Sequence, residues 1–179
     1  MDRKFTRALA LVLKSEGLLS DNPADPGGAT MKGDTLANFR RYVKADATKA
    51  DLRKISDEQI ATVYRRFYWD VSGAELPGGV DYAVLDFAVN SGPSRAAKYL
   101  QAAVGAKQDG KIGPDTIAKV KAMQRGTLID DVCDRRVVFL RKLPTWKTFG
   151  KGWGLPREQR EIERLARRLI ADAGSVKPI

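Results

Sequence analysis

The chain has 179 residues, 43% hydrophobic and 30% charged, and its 32 basic and 22 acidic side chains give a net charge of +10. Apolar residues are plentiful enough for a core of its own, which excludes general disorder. Histidine is absent and Cys133 is the single cysteine, so Ser–His and Cys–His catalysis are excluded. We therefore expect no metal and no cofactor, and any catalysis must use carboxylates, hydroxyls, lysines or backbone groups.

The N-terminal residues predict an amphipathic helix over about residues 2–16. Phe5, Leu9 and Val12 recur at helical spacing. Lys14 interrupts the apolar run before it reaches the length of a secretion signal. No stretch of the chain approaches the roughly 20 apolar residues that a membrane span needs. The sequence thus predicts neither a signal peptide nor a transmembrane segment.

The rest of the chain is also predicted to be helical. Ser56 with Gln59, and the two prolines Pro93 and Pro114, mark helix starts. Residues 80–89 are apolar nearly all round, which indicates a central buried helix in which Asp86 must be hydrogen-bonded or neutral. No strand alternation is visible, so we expect an all-α, compact fold. The other predicted helices cover about residues 35–43, 93–104, 114–120, 128–140 and 157–171.

A long Gly/Pro-rich turn over residues 20–33 is the most informative segment. Eight residues separate Glu16 from Asp25 and four separate Asp25 from Thr30. Glycoside hydrolysis needs one protonated and one ionised carboxyl group across a cleft. A glutamate beside apolar Leu18 can have a raised pKa, whereas an aspartate in a solvated turn stays ionised. The alternative from the residues alone is an ordinary helix end followed by a common turn.

Glu16-Gly17, followed by Asp25-Pro-Gly-Gly-Ala-Thr30, resembles the N-terminal signature of glycoside hydrolase family 108. These are muramidases found as phage and gene-transfer-agent endolysins and in secretion systems. Residues 90–101 and 108–116 are similar to the family's C-terminal predicted peptidoglycan-binding segment. The resemblance implies a lysozyme-like helical domain with a catalytic part over 1–92 and a helical C-terminal part over 93–179, packed as one domain.

The same resemblance implies roles for three residues. Glu16 would be the general acid, Asp25 the second carboxylate, and Thr30 the group that orients water or substrate. One departure from the family pattern is that Leu18 and Leu19 replace Gly and an aromatic residue, which removes a possible sugar-stacking platform. Another is Asp34, which stands where an apolar residue is usual, so we expect an additional charge beside the cleft.

Substrate-binding candidates lie elsewhere in the chain. Trp69 is the aromatic residue that we expect to reach the cleft, with core packing as the alternative. Asn90 and Ser91 are candidates for hydrogen bonds to sugar hydroxyl or N-acetyl groups, with capping of the helix at Pro93 as the alternative. The Gly/Pro pattern of residues 109–116 favours a helix–helix turn over a glycan contact.

The resemblance therefore predicts a peptidoglycan-degrading muramidase that hydrolyses the β-1,4 bond between N-acetylmuramic acid and N-acetylglucosamine. The alternatives are a lytic transglycosylase and a non-catalytic peptidoglycan- or nucleic-acid-binding protein. A net charge of +10 favours polyanionic partners in general. We expect peptidoglycan as the partner, no nucleic acid, and a monomer. We also expect synthesis in the bacterial cytoplasm, release through a holin or a secretion system, and action at the cell wall or in the periplasm.

Overall fold

A computed structural model describes residues 2–15, 19–20, 29–144 and 155–174. These residues are predominantly helical, which confirms the predicted all-α class. The chain divides into two compact units, residues 1–71 and 72–179. The predicted boundary at residue 92 concerned the end of the catalytic part, and it stays a prediction.

The first unit combines short helices with a small antiparallel sheet. The sheet has the order β1-β2-β3 and was not predicted, because its strands are only two residues long. Directly after α4, the hydrogen-bonding pattern changes to that of a π-helix. The elements in chain order are α1 (Arg3–Ser15), β1 (Leu19–Ser20), β2 (Thr30–Met31), β3 (Asp34–Thr35), α2 (Leu36–Tyr42), α3 (Lys49–Arg53), α4 (Asp57–Val63), the π-helical segment (Tyr64–Trp69) and α5 (Asp70–Ser72), which crosses the unit boundary.

Side-chain caps begin several helices of the first unit. The hydroxyl of Thr35 accepts a hydrogen bond from the backbone N–H of Asn38 at 3.2 Å and starts α2. At the start of α4, Ser56 and Gln59 form a reciprocal capping box. This confirms the helix start that the sequence predicts there.

The apolar stripe of α1 is buried, as its spacing predicts. Phe5 and Leu9 are among the buried residues of this helix, and Val12 has no exposed surface. The ring of Phe5 contacts that of Trp69 with the centroids 5.6 Å apart. Aromatic residues of the π-helical segment thus join α1 in the core of this unit.

The second unit is built around one buried helix. Every residue of α6 from Val80 to Ala88 is buried, which confirms the predicted central helix. This helix packs against α7, α9 and α10. The helices of the unit are α6 (Val80–Ser91), α7 (Pro93–Ala103), α8 (Pro114–Ala122), α9 (Arg125–Arg141) and α10 (Leu155–Gly174).

The last helix packs on the second unit through its apolar face. Ile162, Ala166 and Leu169 are buried, and α10 contacts both α9 and α6. None of the helices in the described part of the chain combines the length and the apolar character needed to cross a membrane.

The start of α6 is fitted closely to α10. Gly79 has φ +92°, and a Cβ atom added there would lie 2.6 Å from the backbone oxygen of Ala166. Only glycine permits both this backbone conformation and this approach.

Cys133 of α9 is buried, as expected of a small apolar side chain.

Two buried carboxylates on α6 have partners. Asp81 accepts hydrogen bonds from the backbone N–H groups of Gly79 and Tyr82, each at 2.8 Å. Asp86 pairs with the guanidinium of Arg136 on α9. The prediction that Asp86 must be hydrogen-bonded is confirmed, and its partner is a basic side chain from a distant helix.

Candidate active site

Thr30 lies in the middle strand of the small sheet, where it pairs with Ser20 of β1 and Thr35 of β3. The other two predicted catalytic residues, Glu16 and Asp25, lie outside the described residues. Ser15, the last residue of α1, immediately precedes Glu16 in the chain.

The hairpin that carries Thr30 closes through a two-residue turn. Lys32 and Gly33 both have positive φ, at 50° and 75°. Two consecutive residues of this kind define a type I′ turn, whose twist matches that of two antiparallel strands. Gly33 is suited to the left-handed conformation, whereas Lys32 adopts it at some cost in strain.

Three contacts hold this hairpin in place. The phenol of Tyr64 donates a hydrogen bond to the backbone oxygen of Lys32 at 2.9 Å. The Lys32 ammonium forms an ion pair with Asp57 at 2.8 Å. At the other end of the hairpin, the N–H of Leu36 donates to the oxygen of Ala29 at 3.0 Å. The backbone around Thr30 is therefore fixed at both ends of the hairpin.

Asp34 is buried beneath the hairpin. It pairs with Met31, so strand alternation places its side chain on the face opposite to Thr30. Its side chain is fully buried, and neither carboxyl oxygen has a hydrogen bond of normal geometry. Burial raises the pKa of Asp34 to about 7, against smaller lowering effects from the Thr35 backbone and the Asn38 side chain. The expected charge beside the cleft is instead a buried carboxyl that stays largely protonated up to neutral pH.

Trp69 lies in the core of the first unit. It has no exposed surface, its ring contacts that of Phe5, and the ammonium of Lys4 lies 5.9 Å from the ring centroid. Stacking on a sugar requires an exposed ring face, which Trp69 lacks. The structure therefore supports the core-packing alternative for this residue.

Asn90 and Ser91 end α6 in the second unit. Asn90 is exposed and accepts a hydrogen bond from the Ser91 hydroxyl at 3.0 Å. Neither side chain caps α7, because Gly92 occupies the capping position and no side-chain hydrogen bond is made there. The capping alternative is thus wrong, and a role in sugar binding stays a prediction.

The Gly/Pro-rich stretch before α8 is a helix–helix turn, as the sequence favours. Gln101 is buried, and its amide nitrogen donates to the Asp109 carboxylate at 2.8 Å and to the Lys111 oxygen at 2.9 Å. The amide oxygen of Gln101 accepts from the Gly110 N–H at 2.9 Å.

In the described part of the chain, no cluster of three or more Cys, Asp or Glu side chains is placed to hold a metal ion.

Comparisons with known proteins agree with this architecture. The sequence profile of the family described as Glycosyl hydrolase 108 matches residues 9–92. The solved structure of SagA from Brucella abortus is 40% identical and superposes with a TM-score of 0.85, over 95% of this chain and 97% of that one. A search of curated proteins returned no match.

The chain therefore belongs to glycosyl hydrolase family 108. Its membership makes it a glycoside hydrolase that acts on peptidoglycan.

Proposed function

We propose that this chain is a muramidase that hydrolyses the β-1,4 bond between N-acetylmuramic acid and N-acetylglucosamine. The observation that carries the proposal is the family match over residues 9–92, which includes Glu16, Asp25 and Thr30 together. The absence of histidine agrees with a mechanism that rests on carboxyl groups.

In this proposal the two carboxyl groups, Glu16 and Asp25, have different roles in the reaction. Glu16, in its protonated form, donates its proton to the bridging oxygen as the bond from that oxygen to C1 of muramic acid breaks. Asp25, ionised, stabilises the positive charge that develops on the sugar or takes a proton from the attacking water. The oxygen of that water then becomes the new hydroxyl at C1.

Thr30 orients the water or the substrate in this proposal. Its hydroxyl can both donate and accept a hydrogen bond. The side chain is half-buried on a hairpin fixed by Tyr64, Asp57 and the Ala29–Leu36 bond. A rigid strand holds such a group to the precision that catalysis requires.

The test compares wild type with Glu16→Gln on purified peptidoglycan sacculi, with released fragments identified by mass. We expect wild type to release fragments with reducing muramic-acid ends, and Glu16→Gln to be slower by about a thousandfold because it cannot donate the proton. Glu75→Gln is the matched control, since Glu75 is an exposed glutamate of the second unit. It should release fragments at the wild-type rate.

Other outcomes identify the alternatives. Anhydro ends in place of reducing ends would show a lytic transglycosylase. No release by folded wild type would leave a binding protein. Thr30→Val keeps the shape of the side chain and removes the hydroxyl, so we expect it to slow release at least about tenfold while Thr30→Ser retains activity. Wild-type rates in Thr30→Val would remove Thr30 from the mechanism.

A further inference from the structure

An open groove of about 690 Å³ lies on the first unit, between α1 and the wall formed by α4 and the π-helical segment. Phe5 and Leu9 of α1 and Ala61 of α4 form its apolar part. Phe5 and Leu9 are buried, with only 5% and 9% of their surface exposed, whereas Ala61 is half-buried. The groove therefore offers an apolar surface to small aliphatic groups.

Charged side chains border this groove, and two of them already form ion pairs. The carboxylate of Asp57 is bound by Lys32 at 2.8 Å. The guanidinium of Arg65 is bound by Asp70 at 2.8 Å, with Asp2 at 3.7 Å. These two groove residues are thus neutralised within the unit.

Two other charged side chains at the groove, a carboxylate and a guanidinium, are available to bind a ligand. Glu58 is exposed and forms no ion pair with any described residue. Arg66 is also exposed, and within the described part of the chain it makes one hydrogen bond, to the backbone oxygen of Tyr42 at 3.5 Å, the outer limit of such contacts. The groove consequently presents both signs of charge beside an apolar surface.

The backbone conformation of the π-helical segment is a second observation that indicates a functional site here. Arg65 and Arg66 belong to the π-helical segment Tyr64–Trp69. Such segments are rare within helices and occur frequently at functional sites. Here the segment contributes two arginines to the groove and aromatic side chains to the core.

Two elements of the same unit, α1 and the hairpin of Thr30, connect the groove with the residues of the proposed glycan site. Lys32, which binds Asp57 at the groove, is in the turn of the hairpin that carries Thr30. Ser15, the chain neighbour of Glu16, follows Leu9 by six residues, about 9 Å along the helix. A peptide of three or four residues spans roughly 10–14 Å when extended.

We propose that this groove binds the peptide stem of the peptidoglycan strand, an inference that rests on the function proposed above. The stem is attached to muramic acid, next to the bond that is cleaved. It carries alanine methyl groups, free carboxylates and, in many bacteria, the ammonium of a diamino acid. The methyl groups match the apolar part, Glu58 binds the ammonium, and Arg66 binds a carboxylate.

The kinetic test uses glycan strands with their stems intact and strands from which an amidase has removed them. We expect wild type to cleave stem-bearing glycan with a kcat/KM about tenfold higher, the effect of one or two charged hydrogen bonds. Glu58→Gln and Arg66→Gln should bring this ratio close to one. Arg41→Gln, an exposed arginine outside the groove, is the matched control and should keep the wild-type ratio.

A binding test separates this inference from the proposed function. A synthetic tetrapeptide of L-Ala, D-Glu, meso-diaminopimelate and D-Ala is titrated into wild type and into Ala61→Phe, which fills the groove, with the chemical shifts of the protein as readout. We expect saturable shifts of groove residues in wild type and at least a tenfold weaker affinity in Ala61→Phe.

Equal cleavage of both glycans together with no peptide binding would overturn the stem site and leave the muramidase intact. Peptide binding without cleavage of either glycan would support the stem site and overturn the proposed hydrolysis.

Discussion

Arg136 of α9 donates a hydrogen bond to the carboxylate of Asp86 on the central helix α6, and the two side chains are only 3% and 8% exposed. Buried charges of this kind are tolerated only as a pair. Burial, and after it the nearby Asp86 carboxylate, raises the pKa of the Tyr82 phenol, so Tyr82 stays neutral in this core. The ion pair thus connects two of the helices that form the core of the second unit.

Replacing Arg136 by methionine should lower the free energy of unfolding by about 3–5 kcal/mol, because Asp86 is then left as an uncompensated buried charge. Urea unfolding followed by circular dichroism measures this. Arg135→Met, one residue earlier, removes a half-exposed ion pair to Asp131 and should cost less than about 1 kcal/mol. Equal losses in the two variants would contradict the assigned importance of the buried pair.

The stability of the protein should depend on pH through Asp34. Its pKa is raised to about 7 in the folded state from 3.8. Below about pH 4, folded and unfolded chains both hold the proton, so Asp34 adds no pH dependence. Between pH 4 and 7 the unfolded chain releases it first, and the free energy of unfolding falls by up to about 4 kcal/mol.

Asp34→Asn should remove this component, and urea unfolding at pH 4.5 and pH 8 measures the difference. Asp46→Asn, at an exposed position of the first unit, is the matched control and should keep the wild-type pH dependence. If Asp34→Asn loses as much stability between the two pH values as wild type does, the titration of Asp34 is not its cause.

Gly79→Ala should destabilise the second unit by about 3 kcal/mol. The new Cβ would lie 2.6 Å from the Ala166 oxygen at a residue with φ +92°, so steric overlap adds to backbone strain. Gly105→Ala also has positive φ, at +65°, but meets nothing within 4 Å. It should cost only about 1 kcal/mol. Thermal unfolding compares the stabilities of the two variants. Equal losses of stability would show that the close contact between residue 79 and α10 does not add to the cost of Gly79→Ala.

Gln101→Leu should loosen the turn before α8. The substitution removes the acceptor of the half-buried Gly110 N–H and a donor to the Asp109 carboxylate. Hydrogen exchange at residues 109–111 should accelerate at least about fivefold. Gln108→Leu changes an exposed glutamine of the same turn and should leave exchange unaltered. Unchanged protection in Gln101→Leu would refute the role of this amide.

The sequence predicted those parts of the fold that depend on local chemistry. Ser56 with Gln59, Pro93 and Pro114 each mark a helix start within a few residues, and each helix begins there. The apolar run at residues 80–89 predicted burial of α6 because no face of that helix is polar.

Features that depend on distant parts of the chain were not predicted. The sequence required a partner for Asp86, yet Arg136 lies 50 residues away and nothing local identifies it. Strands of two residues are too short to show alternation, so the sheet was missed. The change to π-helical hydrogen bonding at Tyr64 has no recognisable residue pattern.

At the candidate site, too, the sequence predicts local features and misses those that depend on tertiary packing. Spacing and resemblance predict a role for Thr30, and the structure shows the fixed hairpin around it. The burial of Trp69 and of Asp34 could not be read from the sequence, because it depends on tertiary packing. Glu16 and Asp25 stay predictions.

The burial of Cys133 has a consequence for the behaviour of the chain under oxidising conditions. It is the chain's single cysteine, and its side chain is enclosed in the second unit. A thiolate must be accessible before it can attack a disulfide or meet another thiol. A folded copy therefore offers no reactive sulfur to an oxidant, whereas an unfolded copy is open to covalent dimerisation until its helices close around Cys133.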